Sequence, residues 1–290
     1  MTSDSTVHCV ADVRAVLGEG PVWVEREQAL YWVDINGRKI FRLDKSGELR
    51  GWSTPFRVGS IVPRKSGAFI AGTDEGIAEI DPEAGRFDII ARPEQQLPGN
   101  RFNDGKVDRR GRFWAGTMDD QEKAATGTLY CFDETMGSTA VDEGYRVTNG
   151  PAFSPSGDRM YHNDSARRVT YVFDLEDGKA VNRRNLIEVG DGQGFPDGMT
   201  VDSDGCLWIA FWDGGCVRRY SDQGEWLETV ELPVSRPTSC AFGGVDFDRL
   251  YITSASRDLD AEALAMQPKA GGLFMLVPGV RGLPERPFAG

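Results

Sequence analysis

Ala29-Leu30-Tyr31-Trp32-Val33-Asp34, then Asn36-Gly37, then Lys39-Ile40-Phe41-Arg42-Leu43-Asp44 is the stretch on which the fold turns. Two runs rich in β-branched and aromatic residues flank an Asn-Gly pair. That reads as a hairpin closed by a type I′ turn, whose two central residues need positive φ. The unit recurs: an apolar doublet like Leu30-Tyr31 returns as Phe69-Ile70, Phe113-Trp114, Met160-Tyr161, Leu207-Trp208 and Leu250-Tyr251. Steps between the second members are 39, 44, 47, 47 and 43 residues. Partner strands follow at 76–81, 127–133, 169–174, 216–220 and 272–277, and polar Gly turns such as 109–111, 155–157 and 203–205 precede most doublets. Repeats of roughly 40–50 residues read as propeller blades. Six such units imply an all-β, six-bladed β-propeller in one domain spanning 1–290. The segment 7–13 is expected to complete the last blade, and 260–266 is the best helical stretch.

Composition narrows the function. The chain has 290 residues, 40% of them hydrophobic, enough for a substantial core. A formal net charge of −12 argues against nucleic acid, because phosphates would be repelled. The five cysteines (Cys9, Cys131, Cys206, Cys216 and Cys240) are scattered without a Cys-x-x-Cys pair. That argues against a disulfide framework and a zinc–thiolate site and favours buried small hydrophobes. Residues 1–10 show no basic stretch followed by an apolar one, so no secretory signal is read there. No apolar run nears the roughly 18 residues of a membrane helix. The expectation is a cytoplasmic protein with no membrane or obligate protein partner.

Four polar residues share nearly one phase. Glu19 and Asn149 lie 12 residues before the second member of their doublets, and Asn103 and Asp197 lie 11 before theirs. Equal phase in a repeat protein means equal place, here one mouth of the central channel, just before what reads as the innermost strand. A Gly beside each permits positive φ or close backbone approach. Ser60 and Ser239 fall near the same phase and read as smaller walls of the same cavity. Two carboxylates with one or two amide carbonyls form a hard oxygen set suited to one divalent ion: Ca²⁺, Mg²⁺, Mn²⁺ or Zn²⁺.

LGEGPVW at 17–23, NRFNDGKVD at 100–108, AGTM at 115–118, TNGPAFSPSG at 148–157, PDGMTVDSDGCLWIA at 196–210 and TSCAFGG at 238–244 carry a resemblance to a known family. Over essentially its whole length the chain resembles the senescence-marker-protein/regucalcin/gluconolactonase family of six-bladed, divalent-metal-dependent sugar lactonases. The resemblance implies Glu19, Asn149 and Asp197 as metal ligands and Arg101 and Asn103 as contacts to a sugar lactone. It matches Gln121 to a position where the family carries Glu, a departure that touches substrate preference rather than hydrolysis.

The chemistry this implies is opening of an aldonolactone, such as a glucono-, galactono-, xylono- or arabinono-lactone, to the aldonic acid. Asp197 is the expected general base, with Asp104 as a rival that more naturally anchors its loop. His8 and His162 are not expected to act, His162 being read as a hydrogen-bonded structural residue in an inner strand. Asp164 supports the site from behind, and Trp212 is read as core or blade edge before it is read as a wall of the sugar site. No Gly-x-Ser-x-Gly elbow is present, so a serine triad is excluded. A non-catalytic calcium-binding or regulatory propeller and a metal-dependent esterase are the competing functions, since a fold alone never fixes function.

Overall fold

The computed structural model describes residues 4–176 and 179–290; the expected span 1–290 also includes 1–3 and 177–178, which lie outside the described residues. The strands form six four-stranded antiparallel sheets. Blades 1 to 5 run in chain order over 18–53, 58–91, 100–145, 148–188 and 195–231. Blade 6 takes Pro237–Gly243, Arg249–Ser254 and Leu273–Val277 and is completed by Asp4–Ala11, which pairs with Leu273–Val277 as the outermost strand. The first strands contact one another in a closed ring (Gly18–Val24, Val58–Pro63, Asn100–Val107, Thr148–Phe153, Phe195–Val201 and Pro237–Gly243), so they line the axis. The helix is Ala261–Met266, capped by the Asp260 carboxylate accepting from Ala263 N. No helix among the described residues is long and apolar enough to cross a membrane. All five cysteines are free.

The doublets lie on the second strand of each blade, not the innermost one. Their recurrence has a packing cause, because the second member always faces the next blade. Trp114 meets Phe153 at 5.9 Å between ring centroids, Trp208 meets Phe242 at 6.0 Å, Tyr251 meets Trp23 at 6.1 Å and Tyr31 meets Phe69 at 4.7 Å. Tyr161 packs with Met199 and Val201, and Ile70 with Phe102 and Val107. Each aromatic pair adds about 0.5–1.5 kcal/mol beyond area burial. In blades 3 and 5 the turn before the doublet is tied to it in the same way. Asp108 Oδ2 accepts from Trp114 Nε1 at 2.9 Å while its Oδ1 takes the Arg110 and Arg112 N–H groups. Asp202 repeats this with Trp208, Asp204 and Cys206.

The first hairpin departs from its sequence reading. Its turn is the four-residue stretch 35–38, and the positive φ falls on Arg38 (50°), so no type I′ pair forms at Asn36-Gly37. Asp34 explains the difference: its Oδ1 accepts from Gly37 N at 2.8 Å, and its two oxygens take Leu17 N and Val16 N. Gly37 is needed because a Cβ there would collide with that carboxylate.

Candidate functional site

A shift in register interrupts the pairing of every innermost strand, between Glu19 and Val22, Val58 and Ser60, Phe102 and Gly105, Asn149 and Ala152, Pro196 and Met199, and Pro237 and Ser239. Bulges of this kind re-aim side chains, and here they fall at the polar residues of common phase. Gly150 holds φ +79° at its bulge, and a Cβ on Gly198 would collide with Ser239. The in-phase residues therefore belong to the innermost strands themselves rather than preceding them.

Glu19, Arg101, Asn103, Asn149 and Asp197 line one cavity of about 430 Å³, and all are buried. Ser60 and Ser239 do not line it; Ser239 faces a smaller space further along the channel, and Ser60 is buried with an Oγ that has no partner among the described residues. Loop residues Glu122, Arg146, Arg236 and Arg257 and the strand-end residues Phe195 and Trp212 add to the wall. Trp212 is both cavity wall and packing partner of the blade 1–2 core, with the Arg236 guanidinium 4.9 Å over its ring. Gln121 is exposed, outside the lining, and accepts from Lys123 Nζ at 3.1 Å. The neighbouring Glu122 takes its place at the wall. His162 is buried but lies outside the cavity, edge-on to Tyr145 at 4.7 Å with both ring nitrogens unpartnered among the described residues, which corrects the expectation of a hydrogen-bonded histidine. Burial, then Arg183, lowers its pKa to about 3. His8 is exposed on the outermost strand of blade 6.

A hydrogen-bonded row orders the site. Arg57 and Arg101 both donate to Asp120, Arg101 Nη1 donates to Asn103 Oδ1 at 2.6 Å, and Asn103 Nδ2 donates to Asn149 Oδ1 at 3.0 Å. Asn149 Nδ2 donates to Ser165 Oγ at 2.8 Å, and Ser165 Oγ donates to the Pro196 carbonyl at 2.6 Å. Asn163 Nδ2 donates to the Asp197 carbonyl at 2.6 Å. Asp164, buried behind, accepts from the Arg146 and Val147 N–H groups and so shapes the loop before Asn149. Ser165 and Asn163 carry no motif of their own; only their places at and just after the end of the second strand of blade 4 mark them.

Charge sets the site apart. Burial, then repulsion from Asp197 and Asp104, holds Glu19 well above the usual carboxylate range. Burial, then Asp104, does the same to Asp197. Asp104 rises to about 6 through burial, moderated by Lys106 and by N–H bonds from Gly105 and Gly150. Burial would raise Asp120 too, but the bonds from Arg57 and Arg101 outweigh it and its pKa falls. Burial lowers Arg101 against the pull of Asp120.

The donor set of Glu19, Asn149 and Asp197 fits a divalent cation. Two buried carboxylates held in the raised range, Glu19 in part by Asp197, are relieved by a positive charge, and the Asn149 oxygen, which accepts from Asn103, keeps a second lone pair for a cation. Among the described residues no cluster of three or more His, Cys, Asp or Glu side chains could hold a metal. The candidate set is therefore two carboxylates and an amide, with open positions for water and a ligand.

A family model described as the SMP-30/gluconolactonase/LRE-like region matches residues 17–256. Regucalcin of Gallus gallus is 38% identical over 99% of this chain and 100% of its own length. The 6-deoxy-6-sulfogluconolactonase of Pseudomonas putida is 39% identical, again over 99% of this chain and 100% of its own. Among solved structures, a calcium-binding protein, regucalcin, from Agrobacterium tumefaciens matches with a TM-score of 0.93 and 28% identity, over 98% of this chain and 97% of that one.

Proposed function

The chain belongs to the SMP-30/gluconolactonase/LRE-like family, and from that premise we propose that it is a divalent-metal-dependent lactonase that hydrolyses a sugar lactone to its aldonic acid. The observation that carries this reading is the meeting, in one cavity, of two buried carboxylates of raised pKa with a guanidinium and two amides in a hydrogen-bonded row. The named activity of the Pseudomonas relative and the calcium binding named for the Agrobacterium structure support it.

Glu19, Asn149 and Asp197 would hold the cation, and Ca²⁺, Mg²⁺, Mn²⁺ and Zn²⁺ all accept such oxygen donors. Bound there, a divalent ion supplies Lewis acidity toward an ester carbonyl and a water molecule. Asp197 takes the proton from the attacking water as the new C–O bond forms. The bond from the carbonyl carbon to the ring oxygen then breaks, and that oxygen leaves as a hydroxyl carrying the transferred proton. Arg101, fixed by Asp120, retains an Nη2 with no bond to another described residue and is placed to donate to lactone oxygens. Asn103 orients Asn149 and borders the same space. Glu122 takes the role that sequence matching gave to Gln121, a carboxylate at the wall that accepts from substrate hydroxyls.

Acid release from D-glucono-, D-galactono-, D-xylono- and L-arabinono-lactone tests this, with metal-stripped protein and after each cation is restored, against the spontaneous rate. Turnover that returns only with a cation is the expected result. Absence of turnover with every cation, from folded protein, would move the function to a non-catalytic calcium-binding propeller.

A further inference from the structure

Four arginines and four carboxylates share the cavity wall. Arg101 is paired with Asp120, Arg236 with Asp213 and Arg257 with Glu122 and Asp258, so among the described residues Arg146 is the one lining arginine without a carboxylate partner, although the chain as a whole carries −12. The spare donors lie at the rim. Arg257 is tied to carboxylates, with Nη1 3.2 Å from Glu122 Oε1 and Nε 3.2 Å from Asp258 Oδ2. Arg146 is exposed and its side chain has no carboxylate partner among the described residues; its one side-chain bond runs from Nη2 to the Glu122 carbonyl at 3.2 Å. Arg236 spends Nε on Asp213 at 2.6 Å and Nη1 on the Arg257 carbonyl, and it lies over Trp212 with Nη2 unbonded to any described residue. Two guanidiniums with spare donors, on loops before blades 4 and 6, thus border a pocket already furnished for an ester. A neutral polyol needs acceptors as much as donors, whereas planar forks of N–H groups match a carboxylate, sulfonate or phosphate.

We infer that the substrate is a lactone bearing a second, acidic group remote from the ester, and that Arg146 and Arg236 receive that group. This rests on the lactonase reading and narrows it: the product is a dianion, and the preceding reaction must deliver a lactone that is already acidic. One Arg anchored on Trp212 and one with free donors would give both orientation and adaptability.

The test compares kcat/KM for D-glucono-1,4-lactone and D-glucaro-1,4-lactone, which differ in a terminal CH2OH against a carboxylate. Lactones ending in sulfonate and phosphate distinguish the source of the anion. A preference of about ten- to a hundredfold for an acidic lactone is expected from charge-assisted bonds, weakening with added salt. Arg146→Gln and Arg236→Gln should bring the ratio of acidic to neutral kcat/KM toward one, chiefly through KM. Equal or better turnover of the neutral lactone overturns the inference and leaves the lactonase reading standing. Failure of every lactone in the series, the sulfonate- and phosphate-ended ones included, overturns the lactonase reading instead. Calorimetric binding of glucarate against gluconate then decides the anion site without turnover: tighter diacid binding that is lost in both variants supports it, and equal binding refutes it.

Discussion

At one end of the central channel Glu19, Asn149 and Asp197 face a cavity of about 430 Å³; at the other, Asp104 and Lys106 border a space of about 10 Å³ closed over by the C-terminal segment. Both ends draw on the same bulged strands. At the closed end the acceptors are filled from within. Asp104 takes the Gly105 and Gly150 N–H groups, and Lys106 donates to the Met199 carbonyl at 2.9 Å and lies 3.7 Å from Glu285. The C-terminal segment is stitched down by Asp202 pairing with Gly282 and Arg64 with Phe288, and Phe288 is fully buried. At the open end Glu19 has, among the described residues, a single hydrogen bond, from Gly20 N at 3.2 Å, and is repelled by Asp197 in the same cavity and by Asp104 further along the channel. A carboxylate satisfied by backbone and lysine completes the fold, whereas one left facing other carboxylates needs a partner from outside.

The largest effect should come from disabling the open end. Asp197→Asn removes both a ligand charge and the proposed base, and metal-restored acid release is expected to fall by about 10²–10⁴-fold. Normal turnover would take the role of base away from Asp197, and Asp104, outside the cavity with its oxygens filled by Gly105 and Gly150, does not replace it.

The closed end should answer in stability instead. Phe288→Ala is expected to cost about 3–5 kcal/mol in denaturant unfolding, with kcat little changed in the protein that remains folded. A large loss of kcat at unchanged stability would show that the two ends are not separable.

Asp104 offers a pH signature. Its pKa in the folded state is raised from 3.8 to about 6, so the stability it contributes is complete below about pH 4 and is lost as pH rises through about 6. Between pH 4.5 and 7.5, metal-free wild type should lose roughly 2 kcal/mol more than Asp104→Asn in urea unfolding. Parallel pH profiles would contradict this.

The smallest effect expected is at Ser165→Ala, which frees Asn149 Nδ2. Cation affinity measured by titration calorimetry should fall about tenfold while the fold is kept.

The same contrast separates what the sequence reveals from what it conceals. The six doublets and the in-phase Glu19, Asn103, Asn149 and Asp197 were legible because a closed ring repeats its inner strands, and so repeats position. The number of blades and the closing strand followed from the same periodicity. The loops around the mouth obey no repeat. Arg236 and Arg257 reach the cavity from a loop before one strand and a loop after another, and nothing in their spacing ties them to Glu19. Glu122, not its neighbour Gln121, lines the cavity. Glu122 sits at φ 59°, in a turn whose Asp119 carboxylate gathers the Lys123 and Ala124 N–H groups, and motif matching does not register that twist. The misread Asn36-Gly37 turn has a related cause, a tertiary demand on Asp34 from Val16 and Leu17 that overrode local turn preference.

Anomalous diffraction from crystals grown with Mn²⁺ tests the contrast between the two ends most directly. A single peak within coordination distance of Glu19, Asn149 and Asp197, with none beside Asp104 and Glu285, is the expected result. A peak at the closed end, or no peak among the three open-end ligands at saturating Mn²⁺, would contradict it.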